Sequence, residues 1–127
     1  MVLLDTDVMV DLLREHVPAV RWLDSLDEEI LLPGFVVMEL IQGCASRAEQ
    51  RRLQKALAGY RVIWPSPEMC DEAISVFAQH HLSHSLGIID APIGQLAISL
   101  ELPLQTFNHK HYSAIPNLRL EQPYSRS

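Results

Sequence analysis

The chain has 127 residues, 48% hydrophobic and 20% charged, and its 10 basic against 16 acidic side chains give a formal net charge of −6. This length builds one core, so a single domain over residues 1–127 is expected, and the acidic balance argues against a uniformly positive nucleic-acid-binding surface. No apolar run approaches the ~20 residues of a membrane span, and no basic stretch leads into an apolar segment with a cleavage site, so a cytoplasmic protein with no membrane partner is expected.

Val2 to Leu4 reads as a buried strand. From Asp7 to Arg14, Val8 and Leu12, and again Met9 and Leu13, recur at helical spacing, with Thr6 or Asp7 able to cap. Pro18 suits the first position of a second helix carrying Val20, Leu23 and Leu26. Glu29 to Leu32 is a short strand stopped by Pro33-Gly34, and Phe35 to Gln42 a helix stopped by Gly43. Ala45 or Ser46 opens a helix to about Gly59, and Arg61 to Trp64 is a strand closed by Pro65. From Pro67 to about His84, Cys70, Ile74, Phe77 and His81 form one helical stripe; Asp90 to Glu101 is helical through Ile93, Leu96, Ala97 and Leu100. Leu104 to Thr106 and Leu118 to Leu120 are short strands, with a turn or brief helix around His109. Cys44 and Cys70 read as small buried hydrophobes, and Trp22 and Trp64 as core or interface residues. Alternation of this kind indicates an α/β fold with a mainly parallel sheet covered on both faces.

Three acids interrupt apolar stretches: Asp5 after Val2-Leu3-Leu4, Glu39 within Val36-Val37-Met38-Glu39-Leu40-Ile41, and Asp90 within Gly87-Ile88-Ile89-Asp90-Ala91-Pro92-Ile93. An acid in such a setting is costly unless paired, protonated or holding a cation. Asp5 falls at a strand's carboxyl end, where sites form in open parallel sheets. Glu39 and Asp90 are expected in the starts or first turns of helices, where the macrodipole favours negative charge. Two carboxylates ~5 Å apart repel by ~3 kcal/mol at an effective dielectric of ~20. A hard divalent cation, Mg²⁺ or Mn²⁺, reverses that sign. Gly43 and Gly94, each four residues beyond an acid, leave room for a phosphate backbone to approach.

On these residues the chain resembles the PIN-domain ribonucleases, and in particular the VapC-like toxins of bacterial toxin–antitoxin pairs. The resemblance runs through Leu3-Leu4-Asp5-Thr6-Asp7, Met38-Glu39-Leu40-Ile41-Gln42-Gly43 and Ile89-Asp90-Ala91-Pro92-Ile93-Gly94. It continues through Leu104-Gln105-Thr106-Phe107-Asn108-His109-Lys110-His111-Tyr112 to Leu118-Arg119-Leu120. No block is specific alone; the ordered set at this length is. It implies a PIN-like three-layer α/β/α sandwich and a metal-dependent endoribonuclease that cuts by metal-activated water, with Asp5, Glu39 and Asp90 as catalytic, metal-binding acids. Thr6 and Thr106 would orient them. The pattern's fourth acid falls at Asn108, which brings no charge, so one firm metal with another recruited by RNA is implied; Asp7 either supplies the missing charge or caps a helix. An antitoxin partner and a homodimer are implied as well.

Other features have structural readings beside functional ones. His80, His81 and His84 have the spacing of a metal clip, yet they sit near a helix end where imidazolium is favourable. Arg47, Arg51 and Lys55 form a helical row, with Arg52 beside it, that is either a phosphate-contacting face or a solvated one; Arg47, Arg51 and Lys110 are the candidate RNA contacts. Asp5-Thr6-Asp7 also resembles the nucleophile motif of haloacid-dehalogenase-type phosphatases, but the only lysines are Lys55 and Lys110 and no acidic pair follows Asp90 at short spacing. A non-cutting PIN module that binds RNA or a protein is the remaining alternative.

Overall fold

The computed structural model describes residues 1–126. Strand β1 (Val2–Leu4) leads into α1 (Thr6–Leu13) and α2 (Val17–Asp24), and β2 (Ile30–Pro33) into α3 (Gly34–Gln42) and α4 (Arg47–Leu57). After β3 (Arg61–Ile63) come α5 (Pro67–His80) and α6 (Asp90–Leu100), then β4 (Leu104–Gln105), the short α7 (His109–Tyr112) and β5 (Leu120–Glu121). The sheet order is β3-β2-β1-β4-β5, and every pairing is parallel.

This order explains the layering. From β1 the chain steps outward to β2 and β3, then crosses back over β2 and β1 to place β4 on the other side of β1. Crossovers between parallel strands are right-handed, so reversing the direction of travel moves the connecting helices to the opposite face. The helices accordingly fall into two groups: α1 packs on α2 and α3, and α3 on α4, while α5 packs on α6 and α6 on α7. The central strands are buried on both sides, which is why β1 is apolar without alternation and Leu3, Leu4 and Leu104 are fully enclosed.

Several boundaries and faces differ from expectation. Asp5 itself, not Thr6 or Asp7, caps α1, its carboxylate accepting from the Thr6 N–H. Pro18 is the second residue of α2, and the last strand is Leu120–Glu121. On α5 the buried seam is Met69, Ala73, Val76 and Phe77; Ile74 is 67% exposed. That sequence offers two apolar stripes about 100° apart, and packing on α6 selects the one with the small Ala73. Cys44 and Cys70 are free thiols and only partly buried. Trp22 packs against the core, whereas Trp64 lies half in solvent with its ring over Gly34 and its edge toward Phe35. Gly94 is buried against Ile115 and Leu118, where an added Cβ would meet Ile115 at 2.6 Å. Close packing, not access for a phosphate, accounts for that glycine.

Candidate active site

Beyond the carboxyl ends of β1 and β4, where strand order reverses, Asp5 and Thr106 face each other. Asp5 is 3% exposed and both of its oxygens are engaged. Oδ1 accepts from the Thr6 N–H at 2.8 Å and the Tyr112 hydroxyl at 3.1 Å; Oδ2 accepts from the Thr106 hydroxyl at 2.8 Å. Among the described residues no lysine, arginine or histidine pairs with it. Burial therefore pushes its carboxyl up to about 7, Asp7 adds to the rise, and the three hydrogen bonds oppose it.

Asp7 has the second tie to the β4 end. Its Oδ2 accepts from the Phe107 N–H at 2.8 Å and lies 3.4 Å from the Thr106 hydroxyl, while Oδ1 accepts from its neighbour Val8. Burial raises its carboxyl too. The Asn108 N–H donates to Thr106 Oγ1 at 3.0 Å, so Thr106 is held from behind while it donates forward. Asn108 itself is exposed and contributes through its backbone.

Glu39 enters from α3, where it lies in the second turn and not at the expected helix start. The macrodipole therefore gives it no help; instead Thr6 Oγ1 donates to its Oε1 at 2.8 Å. Asp90 is the first residue of α6, as expected, and its Oδ2 accepts from the Gly87 N–H at 2.7 Å. A Cβ on Gly87 would stand 2.7 Å from that same oxygen, so glycine permits the approach. His111 Nδ1 lies 3.7 Å from Asp90. The Tyr112 hydroxyl, which donates to Asp5, lies within the field of all three acids. Burial first, then the charges of Asp5, Asp90 and Glu39, push its hydroxyl well above the ordinary phenol range.

A groove of about 550 Å³ opens from this cluster between α1, α3 and α4. Thr6, Glu39 and Gly43 line it, Arg14 and Arg52 supply positive charge, and Glu49 adds a second carboxylate. Arg47, Arg51 and Lys110 are exposed but do not line it. Of the three neighbouring histidines, His81 stacks on Phe77 at 4.9 Å, His80 and His84 meet edge-on with ring centroids 5.6 Å apart, and His84 Nδ1 is 2.8 Å from Ser83 Oγ; among the described residues they form no metal-holding group.

The donor chemistry fits a hard divalent cation. Asp5 is a buried carboxyl with no cationic side chain to balance it, and Asp90 and Glu39 add further anionic oxygens around the same phenol. Among the described residues no three His, Cys, Asp or Glu side chains form a ready-made cage. Mg²⁺ does not require one, since it usually keeps several waters and takes one or two carboxylates with substrate phosphate.

Fold and site together define a parallel α/β protein with an oxygen-lined acidic centre at its topological switch point. A family model described as PIN domain matches residues 2–116. Ribonuclease VapC10 of Mycobacterium tuberculosis is 32% identical over 122 residues, spanning 94% of this chain and 91% of the relative. Among solved structures, VapBC2 from Rickettsia felis bound to a DNA fragment from their promoter aligns at 26% identity. Its TM-score is 0.77, over 95% of this chain and 98% of that one. A toxin–antitoxin complex from Klebsiella pneumoniae reaches a TM-score of 0.78 at 23% identity, over 98% and 99% of the two chains. The chain belongs to the PIN-domain family.

Sequence reasoning gave Tyr112 no role. Its only signal was a lone tyrosine after three polar residues, and a fully buried hydroxyl beside an isolated acid becomes visible only once β4 is placed against β1. Arg14 and Gly87 likewise carry no signal of a site role in the linear chain, whereas Arg52 stands beside the basic row already singled out there.

Proposed function

We propose that the chain is a single-domain endoribonuclease, the toxin of a toxin–antitoxin pair, that hydrolyses RNA phosphodiester bonds at the Asp5, Glu39 and Asp90 cluster with Mg²⁺ or Mn²⁺. The observation that carries this is the buried, cation-free Asp5 carboxyl held by Thr6, Thr106 and Tyr112 at the sheet's switch point. Family membership and likeness to Ribonuclease VapC10 support the nuclease reading. Likeness to solved toxin–antitoxin complexes supports the antitoxin partner.

When bound, the ion supplies charge neutralisation at the phosphate and activation of a water. Asp5, directly after β1, and Asp90, at the start of α6, would hold it, with Glu39 as the third acid. Thr106 and Thr6 fix the rotamers of Asp5 and Glu39, which limits the reorganisation needed when substrate arrives. Asp7 holds the Phe107 backbone and adds the charge that Asn108 lacks. RNA enters along the groove, its phosphates meeting Arg52 and Arg14, with Arg47 and Arg51 of α4 and Lys110 of α7 as further exposed contacts. The protein works in the cytoplasm as a homodimer; no helix among the described residues is long and apolar enough to cross a membrane.

Expressing this chain and its Asp5→Asn variant in a bacterial host, with sequencing of RNA 5′ ends, tests the reading. Growth arrest with new discrete ends in the wild type alone is expected. RNA bound but uncut by purified protein in Mn²⁺ would instead make this a binding module, the outcome that the uncharged Asn108 makes worth testing.

A further inference from the structure

Past β5 the chain turns back toward the active site, with Gln122 Nε2 donating to the Tyr124 carbonyl at 3.1 Å. The Tyr124 hydroxyl donates to Asp11 Oδ2 on α1 at 2.7 Å, and Arg126 Nε donates to the same oxygen at 2.9 Å. Arg126 Nη2 reaches the Asp7 carbonyl at 3.5 Å, and its guanidinium carbon lies 4.0 Å above the Phe107 ring. The Tyr124 ring packs edge-on against Phe107 with centroids 5.0 Å apart, and its other neighbours are Trp22 and His16.

Three of these contacts fall on two residues tied to the acid cluster, Phe107 and Asp7. Phe107, gripped through its ring, donates its N–H to Asp7 Oδ2 and directly follows Thr106, the donor to Asp5. Asp7, gripped at its carbonyl, offers the carboxylate on the other side of that bond. A segment that only covered apolar surface would not need an ion pair, a phenol hydrogen bond and a guanidinium stacked on an aromatic face, all converging on α1 and the β4–α7 connection. We propose that Tyr124 and Arg126 are positioning residues, a clasp that pins α1 to the β4–α7 connection and so keeps Thr106 aimed at Asp5. Neither residue touches an oxygen of Asp5, Glu39 or Asp90. Their influence on cleavage rests on the nuclease reading above, whereas their hold on Phe107 does not.

The test compares backbone amide exchange, followed by NMR on the full chain, in wild type, in the Tyr124→Phe/Arg126→Gln double variant and in Arg126→Lys. The Phe107 amide in the double variant is expected to exchange about tenfold faster or more, with Leu3 and Leu4 unchanged. Arg126→Lys, which keeps the cation, is expected to retain most of the protection. Cleavage of total bacterial RNA in Mn²⁺ should fall several-fold in the double variant and recover in Arg126→Lys. Unchanged Phe107 exchange would overturn the clasp. So would faster exchange at every amide in step with a lower melting temperature, which would make the segment a global stabiliser only. If the wild type cuts no RNA, the nuclease reading fails while the exchange result still decides the clasp.

Discussion

The Tyr112 hydroxyl and Asp5 Oδ1 meet at 3.1 Å although 107 positions separate them in the chain. The phenol is almost wholly enclosed, and its hydroxyl points at the most deeply buried carboxylate of the site. Removing that hydroxyl alone leaves the ring packing in place. Tyr112→Phe should cost about 1 kcal/mol of stability. Its larger effect should be on Asp5, which keeps Oδ2 fixed by Thr106 and loses one of the two donors on Oδ1. A drop of roughly 10- to 100-fold in cleavage or in Mn²⁺ affinity is expected, typical of losing a group that orients a metal ligand. Thermal melting and Mn²⁺ titration check the two parts separately.

Asp5→Asn should remove cleavage while strengthening the metal-free protein. The amide brings no charge to a site that burial makes unfavourable for one, and its oxygen still accepts from the Thr6 N–H. Thr106, no longer needed as a donor to a carboxylate, can turn toward Asp7 Oδ2. A gain on the order of 1–3 kcal/mol at pH 8 is expected from denaturant melts. A loss of several kcal/mol would show that the carboxylate is structural.

Stability of the metal-free protein should fall as pH rises. Asp5 has its folded pKa at about 7, above its ordinary value of 3.8, so between these values the folded state holds more protons than the unfolded one. Stability is therefore greatest at the acid end of that window and is lost as pH climbs through about 7; Asp7, also raised, acts in the same direction. Mg²⁺ or Mn²⁺ favours the ionised carboxylates, so the rise in melting temperature on adding metal should be larger at pH 8 than at pH 5. A stabilisation independent of pH would contradict binding at Asp5.

Gly94→Ala separates two readings of a mid-helix glycine. In an exposed helix alanine would add about 1 kcal/mol of stability. Here the new methyl meets Ile115 and Leu118, so a net loss of about 1–3 kcal/mol is expected. If activity fell with stability untouched, a substrate-approach role for this position would return.

Much was legible in the linear chain, and for a local reason. Strand and helix alternation follows from short-range sterics and the period of apolar residues, so β1, α3 and α6 lie within a residue or two of expectation. An acid placed in an apolar run also announces itself locally, because its desolvation must be answered by something; Asp5 and Asp90 stood out on that ground alone. Periodicity was weaker where two stripes competed, as on α5. It also could not tell that Glu39 sits late in its helix and takes its hydrogen bond from Thr6.

By itself, then, the sequence determined the element types, the parallel α/β class and the acids that need a common explanation. Only the tertiary structure decided who answers those acids: Thr106 and Tyr112 for Asp5, Gly87 for Asp90, and Tyr124 with Arg126 for the surrounding frame. The physical reason is strand order. Setting β4 beside β1 brings together groups a hundred residues apart, and hydrogen bonds made across that junction depend on distances that no local pattern encodes.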